Sequence, residues 1–304
     1  MPSLREIRGR IKSARNIQQI TKAMKMVAAA RLRRSQERMQ RARPYASLIA
    51  ELLRDAAVRE APEAGAHPLL KARPGALTGS GTLRLVVLTA DKGLCGAFNV
   101  NVLRKAVQLI REQRDKRRVE VVAVGRKGRD FFSHFGVPMV GQFIGTLDAA
   151  LALAVAREQM EAYGSGAVDE VMLLCTEFKS VISLRPLALR LLPFDLGNLE
   201  SGIETTSIPA PVAAPKVSGP PPTYEPDRAG VFSELVPRAV ESQVWKALLE
   251  SQACEFAARM TAMDNASRNS KELITSLTLY ANRIRQAVIT KEIAELVGGA
   301  EALK

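Results

Sequence analysis

Glycines placed between a β-branched run and a helical run are where phosphate-binding loops sit, and TADKGLCGAFN (89–99) has that form. Neither GxxxxGKS/T nor GxGxxG spacing occurs there, so the glycines are read as allowing a tight turn and close helix packing. GRKG (125–128) fails on the same grounds. His67 and His134 are the two histidines, too few for a metal cluster, and neither has a serine or cysteine partner at a recognisable spacing. Cys95, Cys175 and Cys254 lie far apart with no CxxC, which points to a reducing compartment and away from a disulfide framework or a zinc site. The residues thus predict no catalytic site, no cofactor and no metal.

What remains is charge on a helix. The formal net charge is +13, and residues 1–43 hold thirteen Lys/Arg against Glu6 and Glu37, a balance of +11. Residues 231–304 balance nine basic against nine acidic groups. Lys22, Lys25, Arg31, Arg33 and Arg34 flank Met24, Val27 and the run Ala28–Ala30, and such a helix needs an acidic counter-surface. Nucleic acid is one candidate. A zipper of the basic-region type would place its apolar repeat after the basic part, whereas here the repeat runs through it, and interleaved aromatics are missing.

The elements that carry these residues are long helices at both ends. From Ser3 to about Val58 there is no Gly after Gly9 and one Pro, Pro44; from Ser233 to Val297 the one Pro is Pro237. Segments of about 55 and 65 residues make rods of about 80 and 95 Å. A single helix cannot bury its own apolar stripe, so the two ends must meet each other or a partner. In the first, Leu4, Ile7, Ile11, Ala14, Ile17, Ile20, Met24 and Val27 form a narrow seam with one slip at Ala14–Ile17–Ile20. In the last, Leu249, Ala253, Phe256, Met260 and Met263, then Leu273, Leu277, Ile284 and Val288, form another. Antiparallel pairing of the two is the simplest arrangement; the alternative folds each onto its own globular domain.

Between them, TLRLVVLTA (82–90), VEVVAVG (119–125) and VDEVMLLCT (168–176) read as strands, with helical stretches near 98–114, 126–135 and 146–163 and an added strand over 178–191. Such alternation predicts a largely parallel sheet with helices on its faces. Residues 58–81 and the Pro-rich 196–230 read as linkers. The expected organisation is a coiled-coil helix over 1–58, an α/β domain over 82–195, the linker over 196–230 and a second coiled-coil helix over 231–304. No run approaches a membrane span, the basic N-terminus reads as mature protein rather than a transit peptide, and a cytoplasmic protein is expected.

Several separated segments, in order, resemble the γ subunit of rotary F-type ATP synthases, the central stalk. They are LREIRGRIKSARNIQQITKAMKMVAAARLRR (4–34), TADKGLCGAFN (89–99), YEPD (224–227) with ESQVWKALLES (241–251), EFAARMTAMDNAS (255–267) and RIRQAVITKEIAELVGGAEAL (283–303). The resemblance implies an α/β fold class in which the terminal helices form a long antiparallel coiled coil beside a Rossmann-like domain. It implies a proton-translocating machine in which the coil is threaded through a ring of α and β subunits. The Rossmann-like domain, with an ε subunit, seats on a membrane c-ring, and the chain itself binds no nucleotide or other small-molecule substrate. By the same resemblance Met24 faces an acidic loop of β; Arg259, Gln286, Thr290 and Glu292 couple rotation to β; and residues around Leu296 to Leu303 sit in an apolar bearing. The expected coil seam is Ile11, Ile17, Ile20, Phe256, Met260 and Leu277. No cysteine pair lies in the Pro-rich segment, so the thiol switch of chloroplast members is not expected, and the type implied is bacterial, peripheral at the cytoplasmic face of the membrane.

Overall fold

The computed structural model describes residues 3–59, 67–195, 225 and 227–301. In chain order its elements are α1 (Leu4–Arg59), α2 (Pro74–Thr78), β1 (Leu83–Leu88), α3 (Phe98–Gln113), β2 (Val119–Val124), α4 (Arg126–Phe132), β3 (Met139–Phe143), α5 (Ala149–Gly164), β4 (Glu170–Phe178), β5 (Leu184–Leu192) and α6 (Arg228–Glu301). Two compact units divide the chain, one of Met1–Ala28 with Met260–Lys304 and one of Ala29–Arg259, so the division falls inside both long helices. The expected Pro-rich linker lies almost wholly outside the described residues.

In the larger unit the five strands run in the order β3-β2-β1-β4-β5. β1 is parallel to β2 and β4, β2 is parallel to β3, and β5 closes the edge antiparallel to β4. Side chains alternate between faces along a strand. Val86, Leu88, Val122, Val124, Leu173 and Cys175 therefore enter one core with α5, the first half of α6 and Ile49 and Leu53 of α1. Leu83, Leu85, Val87, Val119, Val121 and Leu174 enter another with α3 and Phe132. Every residue of β1 and β2 is buried, as parallel strands covered on both faces must be.

β3, MVGQF, has no counterpart among the predicted strands: it is interrupted by Gly141 and alternates between half-buried and exposed. The predicted strand 178–191 resolves into the last residue of β4, a turn around Ser180–Ser183, and β5. Residues 67–81 are not a free linker. Leu69 is buried and its carbonyl accepts from the Phe194 N–H at 2.8 Å, and Arg73 lies over the Tyr163 ring and donates to that residue's carbonyl. His67 has a structural use here. Its Nδ1 accepts from the Leu69 N–H at 3.2 Å, and its ring meets Phe232 of α6 edge-on at 6.5 Å between centres.

The smaller unit is a helix pair, and its register corrects the expected seam. On α1 the residues turned inward are Ile7, Ile11, Ala14, Gln18, Thr21, Lys25 and Ala28, an unbroken alternation of four and three. On α6 they are Met260, Met263, Ser267, Ser270, Ile274, Leu277, Ala281 and Ile284, again unbroken. Ile17 and Ile20 are 52% and 59% exposed, and Val27 is exposed as well. A slip at Ala14 would turn the α1 stripe away from a partner whose own repeat has no slip, so period decides the register and side-chain hydropathy does not.

Candidate functional site

In an open α/β sheet the ligand crevice lies at the carboxyl ends of the two strands where the connections reverse direction, here β1 and β4. The two glycines of GRKG close on Thr89 at the end of β1, on its β2 side, while a Cβ at Gly93 of TADKGLCG would lie 3.9 Å from Lys127 Cε. A Cβ at Gly125, whose φ is 94°, would collide with the Thr89 carbonyl oxygen, and one at Gly128 would meet the Thr89 hydroxyl at 2.9 Å. Thr89 Oγ1 donates to the Val124 carbonyl at 2.9 Å and accepts from the Gly128 N–H at 2.8 Å. The Arg126 N–H, at the start of α4, donates to Asp91 Oδ1 at 2.9 Å, and the Ala90 N–H donates to Asn99 Oδ1 at 2.9 Å. The donors that a phosphate would want already hold side-chain oxygens of the chain itself, one of them a carboxylate.

The crevice is also covered from above by α6. Ser251 Oγ accepts from the Thr176 N–H at 3.3 Å, and Cys254 Sγ donates to the Thr176 carbonyl at 3.4 Å, both at the end of β4. Eight residues after Ser251, Arg259 Nη2 donates to the consecutive carbonyls of Lys92 and Gly93, at 3.3 and 3.1 Å, past the end of β1. Arg259 Nη1 meets Glu255 Oε1 at 2.7 Å, and its guanidinium lies 5.9 Å from the Phe256 ring centre, with Arg31 on the same ring at 5.8 Å. The helix occupies the place a nucleotide has in other doubly wound sheets.

The titratable groups beneath it are tuned by burial rather than for chemistry. Burial pushes the thiols of Cys175 and Cys254 well up, so both stay protonated and unreactive. Burial likewise raises Glu255 against the opposing pull of Arg259, and lowers Lys246 against that of Glu250. His134 Nδ1 does lie 2.9 Å from Ser133 Oγ, contrary to the reading from spacing. That hydroxyl donates to the Asp130 carbonyl at 3.0 Å and the group closes the end of α4. Among the described residues no group of three or more His, Cys, Asp or Glu is placed to hold a metal.

In the smaller unit Lys25 Nζ meets Asp264 Oδ1 at 2.6 Å, and Asp264 also takes Arg268 at 2.6 Å. Outward from that pair, 21 positions back from Lys25 reach Leu4, the first residue of α1, and 21 positions on from Asp264 reach Arg285. The same count brings Ile11 abreast of Leu277 or its neighbour, and Gln18 and Thr21 abreast of Ser270 and Ser267. The polar layer satisfies itself on its own helices: Thr21 Oγ1 donates to the Ile17 carbonyl at 2.9 Å and Ser270 Oγ to that of Ala266 at 2.8 Å. Past Arg285, α6 has no α1 beside it. All residues from 285 to 299 are exposed, including Val288, Ile289, Ile293, Leu296 and Val297.

The expected coupling residues therefore divide. Gln286, Thr290 and Glu292 are together on the bare stretch of α6, with Thr290 Oγ1 donating to the Gln286 carbonyl at 2.9 Å. Met24 is half-buried in the helix pair. Arg259, in the larger unit, is 8% exposed and turned inward to the 92–93 carbonyls. Of the expected seam residues Ile11 is buried and Phe256, Met260 and Leu277 are half-buried, while Ile17 and Ile20 lie outside it. Leu303 lies outside the described residues. Sequence reasoning passed over Asp264, Glu255 and the polar seam positions, and read Lys25 as one of the cations flanking Met24 rather than as a seam residue. A strict count of four and three from Ile7 would have found Gln18, Thr21 and Lys25.

A family profile described as ATP synthase matches residues 3–303. The chain is 46% identical to the ATP synthase gamma chain of Anaeromyxobacter sp. (strain Fw109-5), and 45% identical to that of Heliobacterium modesticaldum, in each case over 100% of both chains. Among solved structures it is similar to a chain of the Tetrahymena thermophila mitochondrial ATP synthase central stalk and c-ring, with TM-score 0.57, 28% identity, 82% of this chain and 99% of that one. A chain of the Euglena gracilis mitochondrial ATP synthase shares the fold with TM-score 0.65 at 18% identity, over 99% of this chain and 94% of that one. This chain belongs to the ATP synthase gamma-chain family.

Proposed function

We propose that the chain is the central rotor shaft of a proton-translocating F-type ATP synthase. It couples turning of a c-ring to nucleotide-affinity changes in catalytic β subunits, and has no catalytic site of its own. The observation that carries this reading is the bare stretch of α6. Fifteen exposed residues beyond the end of α1 include five large apolar side chains, on a helix that elsewhere buries its stripe. A lone helix cannot hold such a stretch in water without a socket, and a ring of α and β subunits supplies one. Gln286, Thr290 and Glu292 then face the ring, and α1 carries Met24 and the exposed cations Lys22, Arg31, Arg33 and Arg34, which attract acidic loops over a distance that packing does not reach.

An asymmetric shaft acts by population shift. Each angle favours a different conformation of each of its neighbours, so turning it changes their nucleotide affinities in sequence. The chain is peripheral at the cytoplasmic face of a bacterial membrane, joined to it through ε and the c-ring; among the described residues no helix is long and apolar enough to cross a membrane. The test is reconstitution with purified α and β subunits. The chain alone is expected to have no ATPase activity and to stimulate that of the α–β mixture, with the stimulation lost on truncation after Arg285. An α–β ATPase indifferent to the full-length chain would overturn the proposal.

A further inference from the structure

Arg259 is 8% exposed, its guanidinium turned into this chain rather than outward. Its planar guanidinium is used on three sides: a carboxylate from Glu255 on one nitrogen, two backbone carbonyls on another, and the Phe256 ring against it. The carbonyls belong to a turn with two unusual properties. Leu94 has φ 61°, a conformation costly for any residue but glycine, and the same side chain is 64% exposed. A non-glycine residue stays there only when its surroundings over-determine the turn. Directly beneath, Cys95 is buried, its sulfur accepting from Asn99 Nδ2 at 3.2 Å and donating to the Lys92 carbonyl at 3.8 Å.

We propose that Arg259 is a positioning residue: with Glu255 behind it, it latches the Lys92–Cys95 turn onto α6 and holds Leu94 out as a fixed apolar lobe, so that the turn, and not the guanidinium, is what a ring subunit meets. This rests on the rotor reading for the identity of the neighbour, but the latch itself does not. Only arginine has donors spread in one plane for a carboxylate and two carbonyls at once; the ammonium of lysine is a single point that serves one side or the other.

The latch is read in the full-length chain by the rate at which a maleimide labels each cysteine, resolved by mass. Cys95 is expected to be protected in the wild type and to label at least tenfold faster in Arg259→Met, with Arg259→Lys between them. Cys175 and Cys254, enclosed in the core, stay protected in all three and report that the fold is intact. Because Arg259→Met leaves a buried carboxylate without its partner, the double variant Glu255→Gln/Arg259→Met is measured beside it and is expected to expose Cys95 equally. Protection of Cys95 at the wild-type rate in both overturns the latch. With α and β subunits, Arg259→Met and Leu94→Ala are expected to lower the stimulation of ATPase by similar factors, and together by no more than either alone. Loss with Arg259→Met but none with Leu94→Ala overturns the proposal, since the guanidinium would then act directly. A wild-type chain that fails to stimulate sinks the rotor reading instead, and labelling still decides the latch.

Discussion

One helix, α6, has two stretches of similar length and opposite surroundings. Residues 244–259 are buried or half-buried all round, packed on the sheet and across the ends of β1 and β4; residues 285–299 are exposed all round. Composition does not separate them, for both carry isolated charges among apolar side chains. The difference is supply of partners: the first stretch has a sheet, while the second begins where α1 runs out. Burial within a chain is thus a statement about what that chain provides, and an apolar helix left bare is a statement about what must be provided from outside.

Substitutions at the two stretches sharpen the contrast. Leu248, 1% exposed and part of the core, should lose about 2–5 kcal/mol on Leu248→Ala, read from denaturant unfolding of the isolated chain. Leu296→Ala, at a side chain 74% exposed, should fall within about 0.5 kcal/mol by the same measurement. Equal costs would mean that the bare stretch already has a partner within the chain. The helix pair offers the next test. Ala28 is buried on the seam while Ile20 lies outside it, so Ala28→Asp should cost on the order of several kcal/mol and Ile20→Asp almost nothing. The reverse ranking would restore the seam that hydropathy suggested and overturn the heptad register.

Much of the larger unit was legible in the sequence because its strands are buried on both faces and so read as unbroken runs, LRLVVL and VEVVAV above all. β3 was not, because an edge strand with Gly141 in it need not be hydrophobic. The existence of both long helices was plain from the spacing of Gly and Pro, yet their contact line was not. Ile17, Ile20 and Val27 are apolar residues kept outside the seam, and Thr21, Lys25, Ser267 and Ser270 are polar residues kept on it. A rule that ranks side chains by hydropathy misreads both sets, whereas a rule that keeps the count would have placed them. Arg259 left one local signal, the Glu255 four positions before it, and none for its inward turn. Its partners are Glu255, one turn away, and two carbonyls 166 and 167 residues away. The resemblance grouped it with surface residues, and only the packed structure turns it inward.

The smallest expected effect comes from Lys25 and Asp264, the ion pair a few residues inside one end of the helix pair. Its two side chains are partly open to water, so it is screened by salt and modest in strength. The hydrogen bond from Lys25, with Arg268 nearby, holds the Asp264 carboxyl below the ordinary aspartate value of 3.8. An acid whose folded pKa is depressed stabilises the folded state above its unfolded value, and that stabilisation disappears as pH falls through the folded one. The melting temperature of wild type should therefore exceed that of Asp264→Asn at neutral pH, and the gap should close as pH drops below 3.8. High salt should shrink the same gap at neutral pH. A difference that ignores both pH and salt would assign the pair's contribution to side-chain shape, and the register count that starts from it would then need another anchor inside the same unit.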